Sequence, residues 1–263
     1  MRESVAAIAL LAALASPLAA QATRDRPTLI FTVSGAYLGG IGLWKVADQP
    51  VDDASAGVVT DHFSLGRSVK RTYGAGFSGT YYRGAHLGLT AEAFLLGLGY
   101  SDTCEIIPPA QSSLNVERCA SIDGRDRSAA AVTASTGVVY RIAADEFISP
   151  FLRATAGMLI NSQSPLLLIG QTNNGAELII YDDDNTGTRL RPAFAFGAGA
   201  TIAAGRGYQI RWEVRDNIVG IPRVTGPAAF RGAVPPHETA YKHIFSLSLG
   251  FDVILEKRHG RRY

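Results

Sequence analysis

The feature of this sequence that most constrains its fold is a regular alternation of apolar and polar residues in segments of about ten residues. Near the C-terminus, Phe245, Leu247, Leu249, Phe251 and Val253 alternate with Ser246, Ser248, Gly250 and Asp252. Successive side chains of a β-strand point to opposite faces, so this pattern predicts a strand with one apolar face. The pattern occurs in eight segments: Leu29–Tyr37, Tyr73–Tyr81, Leu87–Leu95, Val132–Tyr140, Leu152–Met158, Phe194–Ile202, Tyr208–Val214 and Phe245–Val253. A tilted strand of this length can cross a membrane.

The connections between these segments alternate between short and long. Short links lie at Arg83-Gly84, Ala143–Phe147 and Ala204–Gly207, and long links run over 42–70, 101–127, 161–189 and 216–242. In an antiparallel barrel this alternation places every short turn, with both termini, at one end and every long loop at the other. In an outer-membrane barrel the short-turn end faces the periplasm.

The polar face of the strands decides which side is inside. It combines small residues with ionisable ones, namely Glu92, Arg153, Arg211, Glu213 and Asp252. A soluble barrel points its apolar face inward. Small residues suit the crowded interior of an eight-stranded barrel, where long residues of opposite charge can pair. We therefore predict an all-β fold: a single eight-stranded antiparallel up-and-down transmembrane β-barrel with short periplasmic turns and long extracellular loops. The alternative is a soluble periplasmic barrel.

Composition excludes several classes of protein. The chain has 263 residues, with 25 Lys and Arg against 23 Asp and Glu, and this near-neutral balance gives no sign of a nucleic-acid partner. An apolar fraction of 47% argues against disorder. No run of 18 apolar residues follows residue 22, which excludes a helical membrane protein.

The first 22 residues are typical of a secretory signal peptide. Arg2 precedes an apolar stretch over Val5–Ala15, and a run of small residues ends at Ala22. We expect cleavage after Ala22, leaving residues 23–263 as the barrel domain. Its strands are expected within about residues 28–255, followed by a basic periplasmic tail over 256–263.

With these features the chain resembles the OmpA/OmpX-like superfamily of eight-stranded outer-membrane barrels. Ser248–Leu255 in the last strand fits the pattern that the barrel-assembly machinery recognises in that family, although the chain continues from Glu256 to Tyr263 instead of ending on an aromatic residue. The resemblance implies a multi-pass protein of the cell outer membrane whose partners are outer-membrane lipid, lipopolysaccharide and the assembly machinery. It implies no cofactor.

The two cysteines, Cys104 and Cys119, lie in the second long loop. An exported pair passes through an oxidising compartment, so we expect a disulfide that makes the loop rigid; two free thiols are the alternative. The ionisable residues of the polar face, with Arg141 and Arg215 nearer the strand ends, form either a plug of salt bridges or a permeation path. We favour the plug because an unpaired charge in so narrow an interior is costly.

Other motifs have weaker interpretations. Tyr181–Gly187 lacks the later carboxylate of a calcium loop, since position 193 is Ala193, and it is interpreted as a loop tip without a metal site. Leu166–Ile169 and Leu178–Tyr181 flank Asn173-Asn174-Gly175 and predict a hairpin outside the membrane. If that hairpin joined the barrel, the barrel would have ten strands.

One motif admits catalysis. Asp61-His62-Phe63-Ser64 contains a base and a nucleophile of the kind that outer-membrane lipid A deacylases and acyltransferases use, but we expect it in a loop with no strand to hold it. His243 and Ser246 fall on opposite faces of a strand. Lys257–Arg262 in the tail could contact anionic lipid headgroups or cell-wall polymer.

The sequence therefore favours a non-enzymatic integral outer-membrane protein whose loops serve structural, adhesive or ligand-contact purposes. No catalytic, cofactor-binding or metal-binding residue is assigned. The first alternative is a lipid-modifying enzyme of the same fold. The second is a soluble periplasmic lipocalin-like carrier.

Overall fold

The computed structural model describes residues 27–53, 59–144, 146–162, 164–183, 190–205 and 207–256. Expectations for the signal peptide (1–22) and for the tail from Lys257 fall outside the described residues. The elements are β1 (Thr28–Leu38), β2 (Ile41–Asp53), β3 (Val59–Val69), β4 (Thr72–Tyr82), β5 (Leu87–Gly97), β6 (Tyr100–Ile107), α1 (Ser113–Ile122), β7 (Asp126–Arg127), β8 (Ala130–Arg141), β9 (Ile148–Asn161), β10 (Leu168–Gln171), β11 (Glu177–Tyr181), β12 (Leu190–Gly205), β13 (Tyr208–Val224) and β14 (His237–Glu256).

Eight of these strands close into a barrel in the order β1-β14-β13-β12-β9-β8-β5-β4, and every neighbouring pair is antiparallel. Each of the eight predicted segments lies in one of them, so the prediction of an eight-stranded barrel is confirmed. The ten-stranded alternative is wrong. β10 and β11 pair with each other in a separate sheet because they are too short to continue the barrel wall.

The register of the ladders tilts the strands. A row of paired residues that begins at Thr28 of β1 passes once around the barrel and returns to β1 at Leu38, ten residues further along: Tyr82, Gly88, Val139, Arg153, Gly197, Arg215, Ser246 and Leu38. Such a stagger fixes the strand tilt, which is roughly 35–45° in barrels of this kind.

The apolar face of the strands points outward. Phe77, Leu89, Phe196 and Trp212 each expose between 43% and 63% of their surface on the outside of the barrel. Thr32, Ser78, Thr90 and the ionisable residues of the polar face are turned inward and largely buried. This is the arrangement of a transmembrane barrel and the inverse of a soluble one. Among the described residues, no helix has the length and apolar character needed to cross a membrane.

Apolar side chains close the lumen at the short-turn end. Ile30, Tyr82, Val139 and Phe151 are buried there in one cluster. Glycine gives the rings room, since a Cβ on Gly88 would lie 2.7 Å from the Tyr82 ring.

The described parts of the four long connections form one folded body instead of separate loops, which differs from the prediction. They contribute a four-stranded sheet (β2-β3-β6-β7), helix α1 and the predicted β10–β11 hairpin, together with the projecting ends of β13 and β14. We call the described residues 39–53, 59–71, 98–129, 164–183 and 219–240 the head. Its buried core includes Leu43, Trp44, Phe63, Leu65, Tyr100, Ile122, Leu168, Ile180 and Ile221.

Candidate functional site

The structure brings most of the predicted interior charges into one cluster, the lumen charge network. Arg153 Nη1 lies 3.0 Å from Glu92 Oε2 and 3.3 Å from Glu213 Oε2. Arg215 lies 2.6 Å from Glu92 Oε1 and 3.1 Å from Glu213 Oε1. Each carboxylate therefore bridges two guanidiniums. Arg215 was expected nearer the strand end, but it is a central member of the network.

A second interior pair lies closer to the short-turn end. Arg211 Nη2 is 2.9 Å from Asp252 Oδ2, and the Thr32 hydroxyl donates to Asp252 Oδ1 at 2.7 Å. The Arg211 guanidinium also lies 4.7 Å from the centre of the Phe151 ring. Arg141 sits 3.6 Å from the centre of the Tyr82 ring, near the mouth. Together these contacts fill the lower lumen with ion pairs and cation–π stacks.

In the head, Cys104 of β6 is bonded to Cys119 of α1, as expected. The start of α1 is held by a second contact that the sequence analysis missed. The Asp61 carboxylate accepts hydrogen bonds from Gln111 N at 2.7 Å, Ser112 N at 3.1 Å and Asn115 Nδ2 at 2.9 Å. The helix is thus fixed to the four-stranded sheet at both its N-terminal turn and its second turn.

A buried ion pair joins three of the connections. Arg67 of β3 donates to both oxygens of Asp102 on β6, at 2.6 and 2.9 Å, and also to the carbonyls of Pro165 and Leu167 in the third connection. Their side chains are 0% and 1% exposed. The guanidinium lies 5.5 Å from the centre of the Tyr100 ring.

Burial also changes the acidity of groups around this pair. It raises the pKa of the Tyr100 phenol above its ordinary value. Burial, with a smaller effect of the Arg67 charge, lowers the pKa of Arg127, whose Nε lies 3.6 Å from Asp102. In the hairpin, burial raises the pKa of Tyr181.

The fourth connection is tied to the rest of the head through backbone groups. The buried Gln49 amide accepts from Ala228 N at 2.7 Å and donates to Ala228 O at 3.4 Å. Arg231 Nη1 donates to Asp52 O at 2.8 Å, and Gly232 N donates to Ile180 O at 3.1 Å.

The expectation that Asp61–Ser64 lies in a loop without a strand is wrong, because these residues are part of β3. Asp61 and Phe63 are buried beneath the sheet, whereas His62 is on the exposed face, where its Nδ1 is 2.6 Å from Asp48 Oδ1. Ser64 is two residues along the strand and shares the face of His62. His243 is exposed and Ser246 is buried on opposite faces of β14, as expected.

The acidic segment Tyr181–Gly187 is only partly within the described chain. Tyr181 is buried in the head, and Asp182 and Asp183 follow it, while Asp184–Gly187 fall outside the described residues. No group of three or more His, Cys, Asp or Glu suited to a metal ion occurs in the described part of the chain.

No protein-family model matches the chain. No curated protein sequence matches it either. Solved structures of similar shape include Neisserial surface protein A, with a TM-score of 0.42 and 10% identity over 86% of this chain and 96% of that one. The outer membrane protein OprG from Pseudomonas aeruginosa has a TM-score of 0.43 and 9% identity, over 90% and 99% of the two chains. The outer membrane enzyme PagL has a TM-score of 0.34 and 14% identity, over 84% and 98%. These likenesses concern shape and identify no activity.

Proposed function

We propose that this protein is a non-enzymatic integral outer-membrane barrel that displays its head outside the cell for adhesive or ligand contact. The observation that carries the proposal is that the described residues of all four long connections pack into one body with a buried core. Side chains in a rigid body keep fixed positions, and a surface of that kind binds with less loss of conformational entropy than mobile loops do. The barrel anchors the head.

In this proposal the lumen charge network is a plug and not a permeation path. The paired charges of Glu92, Arg153, Glu213 and Arg215 occupy the middle of the lumen, and the apolar cluster around Tyr82 closes one end. An eight-stranded barrel is just wide enough for its own side chains. Separating these ions to admit a solute would leave buried charges unpaired, which costs several kcal/mol.

The apolar exterior supports contact with outer-membrane lipid and lipopolysaccharide. The last barrel strand, which contains Ser248–Leu255, is the segment proposed to bind the assembly machinery during insertion. Export through the signal peptide over residues 1–22, with a mature barrel domain from residue 23, belongs to the same proposal.

Surface labelling of intact Gram-negative cells tests the orientation. Both native cysteines are disulfide-bonded, so a single new thiol reports its own position. Asn174→Cys, in the exposed turn of the β10–β11 hairpin, is expected to react with a membrane-impermeant maleimide. The matched control, Ala204→Cys at the exposed end of β12 beside a short turn, is expected to react only after the outer membrane is permeabilised.

The membrane location has its own measurement. The protein is expected to fractionate with outer membranes, to require detergent for extraction and to migrate differently on gels with and without boiling. Recovery as a soluble periplasmic protein would refute the proposal and favour the carrier alternative. Labelling of Ala204→Cys but not Asn174→Cys in intact cells would reverse the orientation.

A second candidate function rests on the Asp48–His62 hydrogen bond. Asp48 holds Nδ1 of the imidazole, which leaves Nε2 available as a base, and Ser64 shares its strand face. Val69 is the end of β3 nearest the barrel, and His62 lies seven residues from it along the strand, roughly 23 Å of extended chain. A water-soluble acyl ester therefore reaches His62 more easily than a membrane lipid does.

The hydrolase candidate is tested by His62→Ala and Ser64→Ala, with Ser68→Ala on the same strand face as the control. The assays are hydrolysis of p-nitrophenyl esters and mass spectrometry of lipid A. If this candidate is right, the first two variants lose an activity that Ser68→Ala retains. Absence of activity in the wild type, or equal activity in all variants, would leave the non-enzymatic function.

A further inference from the structure

The fourth connection contains a tight turn, between β13 and β14, that presents an aromatic side chain to solvent. Phe230 is 66% exposed at the first position of the turn Phe230–Ala233, which is closed by a hydrogen bond from Ala233 N to Phe230 O at 3.1 Å. Gly232 adopts a φ of 79°, a conformation that favours glycine. Two further exposed apolar residues are adjacent in sequence to this contact. Ile179 precedes Ile180, whose carbonyl accepts from Gly232 N, and Val234 follows Ala233. We call Phe230, Ile179 and Val234 the knob.

The turn that carries Phe230 is held by hydrogen bonds to two other elements. Gly232 N donates to Ile180 O on β11, and Arg231 Nη1 donates to Asp52 O at the end of β2. Ala228, two residues before Phe230, is buried against Gln49. The turn is therefore fixed before any partner arrives, so binding would cost little backbone ordering.

These contacts do not use the Phe230 ring itself. The turn is stabilised by backbone groups and by the Arg231 guanidinium. An exposed aromatic side chain on a backbone fixed by hydrogen bonds is typical of the anchor residues that dominate protein interfaces.

Acidic residues are joined to the turn by hydrogen bonds of their backbone groups. Asp182 N donates to Ala233 O at 3.3 Å, which places Asp182 and its neighbour Asp183 beside the turn. On the other side Asp52 is exposed next to Arg231. Asp52 Oδ1 also accepts from Thr60 Oγ1 at 2.7 Å, and Asp182 Oδ1 accepts from Asp183 N at 2.8 Å. Near the turn three carboxylates thus outnumber the one guanidinium of Arg231, and this excess of negative charge attracts cations and repels anionic lipid and polysaccharide.

We propose that the knob binds a cationic amphipathic polypeptide segment. An aliphatic side chain of the partner would pack on the Phe230 ring, and flanking lysines or arginines would pair with Asp52, Asp182 and Asp183. This inference rests on the proposed function in one respect only, that the head is displayed outside the cell, and it names the class of partner.

The experiment measures peptide binding to the full-length protein in nanodiscs of zwitterionic lipid. The probe is a short peptide of lysines flanking two adjacent leucines, and the reference probe carries glutamate in place of lysine. Phe230→Ala removes the anchor, and Asp182→Asn with Asp183→Asn removes part of the charge. Phe147→Ala is the matched control because Phe147 is 67% exposed in a short turn at the opposite end of the barrel.

The lysine peptide is expected to bind saturably and the glutamate peptide not to bind. Phe230→Ala should weaken binding about tenfold or more, the double Asp variant should weaken it and flatten its dependence on salt, and Phe147→Ala should bind as the wild type does. Equal binding of both peptides, or unchanged binding by Phe230→Ala, would overturn the inference. If surface labelling of Asn174→Cys succeeds while the peptide fails, only this inference is lost.

Discussion

The buried pair of Arg67 and Asp102 gives the sharpest test of the head as a cooperative folded body. We consider Asp102→Asn, which keeps the size of the side chain and removes its charge. Asp102 accepts two hydrogen bonds from Arg67, and neither side chain has access to solvent. The amide would retain one acceptor and turn its NH₂ donor toward a guanidinium that can only donate.

The expected cost follows from leaving a buried cation without its counter-ion. Removing one partner of a buried pair costs about 3–5 kcal/mol, because the remaining charge is desolvated and uncompensated. That range corresponds to a rise of roughly two to three and a half orders of magnitude in the population of the open head. The double variant Arg67→Met with Asp102→Leu removes both charges. Pro165 O keeps the hydrogen bond from Trp44 Nε1 at 3.2 Å, whereas Leu167 O loses its donor. Arg127, 3.6 Å from Asp102, loses the carboxylate charge in the single and the double variant alike. The unsatisfied carbonyl costs about 1–3 kcal/mol, so the double variant should be less damaged than the single one.

Amide hydrogen exchange of the protein in nanodiscs measures this difference by region. Amides of β3 and β6 should lose protection in Asp102→Asn, and those of the barrel strands should keep it. Boiling-dependent gel migration should be unchanged, since the barrel is intact. Wild-type protection of β3 and β6 in Asp102→Asn would refute the reasoning, and so would a double variant that exchanges faster than the single one.

Three other perturbations separate the head from the barrel. Glu213→Gln should leave two lumen guanidiniums short of a carboxylate and destabilise the barrel by roughly 3 kcal/mol or more, measured as a lower temperature of the gel-migration change; an unaltered temperature would show that the ion pairs are dispensable. Cys104→Ser with Cys119→Ser opens a loop with a sequence separation of 15 and should cost the head about 3 kcal/mol, seen as faster proteolysis of the head alone. Burial raises the pKa of Tyr181 above its unfolded value, so the stability that it contributes is complete below about pH 10 and is lost as pH rises further; proteolysis of the head should accelerate there in the wild type and accelerate less in Tyr181→Phe, in which Tyr100, whose pKa burial also raises, still ionises.

The barrel strands could be predicted because each has one apolar and one polar face, and period two survives wherever both faces have a constant environment. Predicted and observed strands differ most where that environment changes. β13 was expected to end at Val214 and continues to Val224, with Val219 and Ile221 buried beyond the barrel. Val219 and Ile221 keep the inward parity of the wall, but Val224, which has the outward parity, is also buried in the core of the head. The exposed parity of the wall therefore no longer holds there.

The head could not be predicted because its strands break period two. β2 and β3 pair with register shifts between Gly42 and Trp44 and again between Val46 and Gln49. A bulge changes which face the following side chains occupy, so Leu43 and Trp44 are both buried although they are adjacent. The burial of Arg67 and Asp102 could not be predicted either. A charged residue in a connection is expected on a solvated surface, and only the fold shows that its partner lies in another connection.

For the lumen charge network, the sequence predicts which residues belong to it but not which residues pair. An ionisable residue on the polar face of a barrel strand points inward, so its inclusion follows from the sequence, but its partner depends on the stagger between strands. Arg153 and Arg215 occupy the same row of paired residues, with Gly197 between them. A Cβ on Gly197 would lie 3.1 Å from Cδ and 3.2 Å from Cγ of Glu213. The glycine thus leaves the space in which the Glu213 carboxylate reaches both arginines. In a sequence this glycine is one small residue among many, and only the ten-residue stagger of the closed barrel shows that the ion pairs depend on it.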